Sequence, residues 1–415
     1  MPNMLSRSRL ATVATAGLAL VVGLAIAIPN ATATGAGSRP AAAHPAAAFK
    51  QPPIKHVWII VLENESFGYT FGKAGEAQAP YLTKTLTAKG ALLTHYYGIG
   101  HDSLDNYTAM ISGQNSNYEL GQDCGLYEPF IQFGGENYDK WTPKLHQLSG
   151  EGCVYPKYVK TVVNQLTAKG LTWKAYEEDM GKIPSRDKTV KTANGPACGH
   201  PKLGGVDLTD STSPKNDSYA TRHDPFMYFK SITGDPAYCD SHVLTMSPLT
   251  SDLKKISTTP NYSFITPNTC ADGHDTPKCQ DGRKGGLPRV NDFLKKWIPT
   301  IMASPAYKKN GMIVINFDES GSDEDATACC GEHDSLGYSD PSHPNMNEPG
   351  LYGPGGGRVG AVVLSRYIKP GTVSSKPYNH FSLLRTIEDI FGLSHLGDAR
   401  QTKVVSFGAD VYTKR

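Results

Sequence analysis

Two apolar runs, more than 250 residues apart, constrain this chain more than any other feature: His56-Val57-Trp58-Ile59-Ile60-Val61-Leu62-Glu63-Asn64 and Gly311-Met312-Ile313-Val314-Ile315-Asn316-Phe317-Asp318-Glu319. Each is rich in β-branched residues and bounded by polar stretches, the signature of a strand buried on both faces. Each also ends in acidic or amide side chains. In sheets with helices on both faces the ligand crevice lies beyond the carboxyl ends of the strands. Glu63, Asn64, Asp318 and Glu319 are therefore expected to converge there, as oxygen donors suited to a hard cation.

The 415 residues allow one large α/β domain or two smaller ones, and a hydrophobic content of 39% is enough for a real core. Forty-one basic and 39 acidic side chains nearly cancel, and the basic ones are scattered, which argues against a nucleic-acid partner. Arg7 and Arg9 precede an apolar stretch that ends near Pro29 and is followed by Ala31-Thr32-Ala33. That layout predicts a signal peptide over residues 1–33, a secreted protein, and no stable membrane span after cleavage. An Ala/Pro-rich spacer follows over residues 34–51, then one domain over residues 52–415.

The eight cysteines, at positions 124, 153, 198, 239, 270, 279, 329 and 330, suit disulfides in an exported chain. Sequence alone does not give the pairing. Sequential bridging of the first six is the simplest arrangement, whereas Cys329 and Cys330 are left open between a strained ring, separate partners and free thiols.

Alternating strand and helix patterns predict an α/β fold: a mostly parallel central sheet with helices on both faces. The clearest elements are strands at about 56–62, 262–266, 311–317 and 358–365 and helices at about 80–89, 289–303 and 381–391. Residues 114–260 carry many Gly, Pro and Asn, with short strand-like pieces such as Leu171-Thr172-Trp173-Lys174-Ala175-Tyr176, and read as long crossovers forming a loop-rich lid.

Five separated motifs resemble, in order, those of the bacterial and fungal phosphoesterase family of secreted acid phosphatases and phospholipases C, within the alkaline-phosphatase-like superfamily. They are Glu63-Asn64-Glu65-Ser66-Phe67, His101-Asp102-Ser103-Leu104-Asp105-Asn106-Tyr107, Pro267-Asn268-Thr269-Cys270 with Asp272, His274 and Asp275, Asp318-Glu319-Ser320-Gly321, and Tyr378-Asn379-His380-Phe381-Ser382-Leu383-Leu384-Arg385. The resemblance implies a metal-dependent hydrolase of phosphoric esters, most simply an acid phosphatase acting on monoesters. The alternatives are a phospholipase C or other phosphodiesterase and, more remotely, a catalytically silent secreted binding protein. The implied partner is a small phosphate ester or a phospholipid or phosphoinositide headgroup. Asp102 and Asp105 depart from the family's prolines, and Ser320 from its glycine.

Phosphoryl transfer needs charge neutralisation and an aligned nucleophile more than covalent help from the protein. By position Ser103 is the expected nucleophile, Asn106 the phosphate contact and His101 a supporting residue. Glu63, Asn64, Asp318, Glu319, His274 and His380 are the expected ligands of one or more divalent cations, with Zn, Ca, Mg, Mn and Fe all open. Plainer roles compete with each assignment. Ser103 suits a helix N-cap, the two asparagines suit turns, and His223 and His333 read as scaffold or surface histidines.

Overall fold

The computed structural model describes residues 49–132, 147–148, 150–209, 217–274, 279, 281–321, 325–332 and 355–414. The signal-peptide expectation, most of the spacer, Asp275 and His333 lie outside them. Ten strands among the described residues form one sheet: β1 His56–Leu62, β2 Ala91–Leu93, β3 Trp173–Glu177, β4 Val190–Thr192, β5 Gly195–Ala197, β6 Val243–Thr245, β7 Tyr262–Thr266, β8 Gly311–Phe317, β9 Ala361–Ser365 and β10 Thr372–Ser374. Their spatial order is β10-β2-β9-β8-β1-β7-β3-β6-β5-β4.

The five central strands are parallel, with β1 between β8 and β7 in the register Val57↔Met312 and Val57↔Tyr262. All seven residues of β1 and of β8 are buried, as their unbroken apolar sequences require. The flanks turn antiparallel at β9 and at β5. Residues 114–260 differ from a pure lid. They supply β3, which the strand-like piece at 171–176 anticipates, and β4, β5 and β6 to the main sheet; these last three, of three residues each, carry too little pattern to stand out from loops.

Helices cover both faces. Tyr107 and Met110 of α1 (Ser103–Ser112) lie against Phe264 and Asn316, whereas Trp58, on the alternate face of β1, meets Tyr307 of the short helix Pro305–Asn310. Each fully buried aliphatic side chain in these layers contributes about 1.5–3 kcal/mol. Helix α1 is buried along its whole length and stops at Gly113, whose φ of +70° only glycine adopts without strain. Later helices include α2 (Val162–Ala168), α3 (Leu287–Ala303) and α4 (His380–Phe391). Helix α4 begins where Asn379 accepts a 3.0 Å hydrogen bond from the Ser382 N–H.

The cysteines pair as Cys124–Cys153, Cys198–Cys239 and Cys270–Cys279, matching the sequential expectation, and the adjacent Cys329 and Cys330 are bonded to each other. No helix among the described residues is long and apolar enough to cross a membrane.

Candidate active site

Strand β1 delivers Glu63 and Asn64, and β8 delivers Asp318 and Glu319, to the same carboxyl edge. Register holds them together: the Asn64 N–H and the Glu319 N–H both donate to Asp318 Oδ1, at 2.9 and 2.7 Å. Helix α1 starts at this edge. Its first residue is Ser103, whose hydroxyl donates to Glu63 Oε2 at 2.7 Å. The N-cap position belongs to Asp102, which makes no side-chain cap, so Ser103 is not the capping residue.

Glu63 is fully buried and gathers further partners. The Tyr107 hydroxyl donates to its Oε1, and His223 Nε2 stands 3.5 Å from the same oxygen while its ring stacks on Tyr107. Sequence reasoning left His223 as scaffold. It arrives on a short 3-10 turn at Thr221–His223, far along the chain from the other motifs, and only its place in Arg222-His223-Asp224-Pro225-Phe226 could have singled it out.

His101 is buried, with Nδ1 on Glu319 Oε2 and Nε2 3.3 Å from the Asp325 carbonyl. Asn106 spends its amide on the loop: Oδ1 accepts from the Ile99 N–H at 2.8 Å, and Nδ2 donates to Gly100 O, Asp102 O and Asp105 Oδ1. His380 opens α4. Because a carbonyl can only accept, Nε2 donates to Asp318 O, and Nδ1 accepts from the Tyr96 hydroxyl at 3.0 Å. Burial pushes this imidazole down to about 4, so the neutral ring matches both bonds. His274 is the outlier. It is exposed at the rim, its N–H on Asp272 Oδ1 at 3.0 Å, and its charge opposes the burial that pushes the Glu65 carboxyl up to about 7.

The electrostatics are those of crowded carboxylates. Burial first, then Asp318, Asp105 and Glu63, push Glu319 well above the usual range. Burial also raises Asp105, with Asp102 adding to the shift, so both departures from the family pattern press on the same edge. Two non-glycine residues here hold left-handed backbone, Asn64 at φ +39° and Asp102 at φ +75°. Such strain persists where the surroundings impose it, often at functional sites.

No group of three or more His, Cys, Asp or Glu among the described residues is arranged to hold a metal ion. Glu63 accepts from Ser103 and Tyr107, and Glu319 is bonded to His101. The donor chemistry still fits a hard cation, since carboxylates crowd together and the buried Asn64 Oδ1 meets no hydrogen-bond partner among the described residues.

A family model described as the Phosphoesterase family matches residues 75–394. The chain is 24% identical over 312 residues to a phosphate-repressible acid phosphatase of Penicillium chrysogenum, covering 75% of this chain and 54% of that protein. It is 22% identical over 356 residues to a phosphatidylinositol-3-phosphatase of Mycobacterium tuberculosis, covering 85% of this chain and 82% of that one. The chain thus spans 48% to 64% of the length of the fungal acid phosphatases it matches. Among solved structures, a protein of the alkaline phosphatase superfamily from Vibrio parahaemolyticus aligns with a TM-score of 0.42 at 11% identity, over 85% of this chain and 70% of the other.

Proposed function

We propose, from the premise that this chain belongs to the phosphoesterase family, that it is an exported hydrolase of phosphoric esters acting as an acid phosphatase on monoesters, with Ser103 as nucleophile. The observation that carries the reading is the 2.7 Å hydrogen bond from Ser103 Oγ to the buried Glu63, made on the first turn of a helix at the carboxyl edge of a parallel sheet.

The roles follow from position. Glu63 orients the Ser103 hydroxyl and is itself fixed by Tyr107. The N-terminus of α1 presents partial positive charge to an incoming anion. Ser103 Oγ passes its proton to Glu63 Oε2 and forms a bond to phosphorus as the ester P–O bond breaks, and water then hydrolyses the phosphoserine. His223, beside Glu63, is placed to hold a proton for the leaving oxygen. His101 ties the nucleophile's loop to Glu319 and Asn106 braces that loop from within, and contact between Asn106 and phosphate would exchange one of its loop bonds.

A divalent cation would be held by Glu63, Asn64, Asp318 and Glu319 and would supply charge neutralisation at the phosphoryl oxygens; His274, exposed at the rim, and His380, whose ring nitrogens bind Asp318 O and the Tyr96 hydroxyl, would join it as further donors only by exchanging those positions. The relative named a phosphatidylinositol-3-phosphatase supports a phosphoinositide headgroup as one such monoester. Acid-quenched mass spectrometry during turnover tests the reading: one added phosphate on the peptide holding Ser103 is expected, and its placement on any other residue overturns the assignment.

A further inference from the structure

We infer that the Cys329–Cys330 bridge is a site of thiol–disulfide exchange with small dithiols and that its state sets the position of the active-site loops. The bridges differ in access. Cys124, Cys153, Cys198, Cys239, Cys270 and Cys279 are all buried, whereas Cys329 and Cys330 are both partly open to solvent. Exchange requires a thiolate to reach a sulfur, so access selects the adjacent pair.

The bridges differ in purpose as well. Cross-linking stabilises a fold chiefly by restricting the unfolded chain, more so for longer loops. The other three close separations of 29, 41 and 9 residues, while Cys329 and Cys330 are neighbours and close none. Global stability therefore does not explain this bond, and its local attachments do. Cys330, in left-handed backbone at φ +65°, packs against Ile99, Ala109, Phe381 and Val404. Ile99 is the residue whose N–H binds Asn106, and Phe381 follows His380. From Cys329 the link runs through Glu332, which accepts from the Asn379 amide at 2.7 Å, and Asn379 caps the helix that begins with His380.

The reaction balances. A dithiol's thiolate attacks one sulfur, the bond between Cys329 and Cys330 breaks, and the reductant's second thiol releases itself as a cyclic disulfide, leaving two protonated cysteines. Freed of the ring, Cys330 can leave the left-handed conformation, and the packing on Ile99 and the Glu332 link loosen together.

The activity arm of the test rests on the proposed phosphatase function, and the labelling and exchange arms do not. Native protein is treated with graded dithiothreitol, alkylated, and mapped by mass spectrometry, with amide hydrogen exchange followed at residues 98–106. Label is expected on Cys329 and Cys330 before any other cysteine, together with faster exchange in that loop. Hydrolysis of p-nitrophenyl phosphate should fall several-fold in step and return on reoxidation with oxidised glutathione. The double variant Cys329→Ser/Cys330→Ser should match the reduced enzyme and no longer respond to dithiothreitol, with the other three bridges intact. Earlier labelling of any buried pair, unchanged exchange in the loop, or a double variant indistinguishable from the oxidised wild type overturns the proposal. Absence of activity in the oxidised wild type would instead sink the phosphatase reading, while labelling and exchange still decide this one.

Discussion

Replacing Ser103 by alanine separates chemistry from architecture. The change removes one hydroxyl donor from Glu63, which keeps the Tyr107 hydroxyl and the nearby His223. A hydrogen bond to a charged group contributes about 1.5–3 kcal/mol, and the partners that remain place this loss near the lower end. No helix cap is lost, because Ser103 sits one residue inside the N-cap and its side chain accepts no capping bond. For a domain of this size that is a fall in Tm of a few degrees at most. Loss of the nucleophile, by contrast, removes a step of the reaction and should lower kcat on the order of a thousandfold or more. Differential scanning fluorimetry and release of p-nitrophenol measure the two effects on one preparation. An alanine variant with kcat within about tenfold of wild type would refute the nucleophile assignment. A variant that unfolds would show instead that Ser103 is structural.

Three further outcomes follow from the same geometry. Exhaustive chelation, or Asp318→Asn, should abolish hydrolysis, and the chelated wild type should recover on return of a divalent cation; undiminished activity in metal-free protein would contradict a metal role. Burial raises the Asp224 carboxyl to about 8 and also raises its neighbour Glu177, so the folded state holds protons that the unfolded chain has already released. The contribution of this pair to stability should therefore be fullest below the ordinary carboxylate range and fall as pH rises toward about 8, with Asp224→Asn flattening that fall; thermal melts across pH that show no such flattening would refute the linkage. Removing the Cys198–Cys239 bridge by a double serine substitution should cost about 3–4 kcal/mol in denaturant titrations, from the length of the loop it closes. A cost near zero would mean that the bridge constrains little.

Much of this was legible in the sequence because burial leaves a strong pattern. Val57 to Leu62 and Met312 to Phe317 could only be central strands, and their carboxyl ends had to bring Glu63 and Asp318 together. Direction was less legible. Ala361–Ser365 is as apolar as its neighbours yet runs antiparallel to β8, and side-chain pattern does not encode direction in a strand covered on both faces. Within residues 114–260 the piece at 171–176 reads as strand-like and forms β3, whereas β4, β5 and β6, of three residues each, are too short to show a pattern. Among the candidate residues, Ser103 and Glu319 stand out by motif. The placement of His223 on Glu63 depends on a contact across 160 residues that no local period announces. Asn106 shows the opposite case, a side chain whose motif suggested substrate contact but whose four hydrogen bonds all serve the loop.

The measurement closest to the central claim compares kcat/KM of the purified wild-type protein for p-nitrophenyl phosphate and for p-nitrophenylphosphorylcholine at acidic pH. A crowded, carboxylate-lined edge around Ser103 that acts on monoesters predicts efficient turnover of the first and little of the second. Preference for the choline diester would move the protein to the phospholipase C side of its family. Failure to hydrolyse either ester, with divalent cations supplied, would contradict the account.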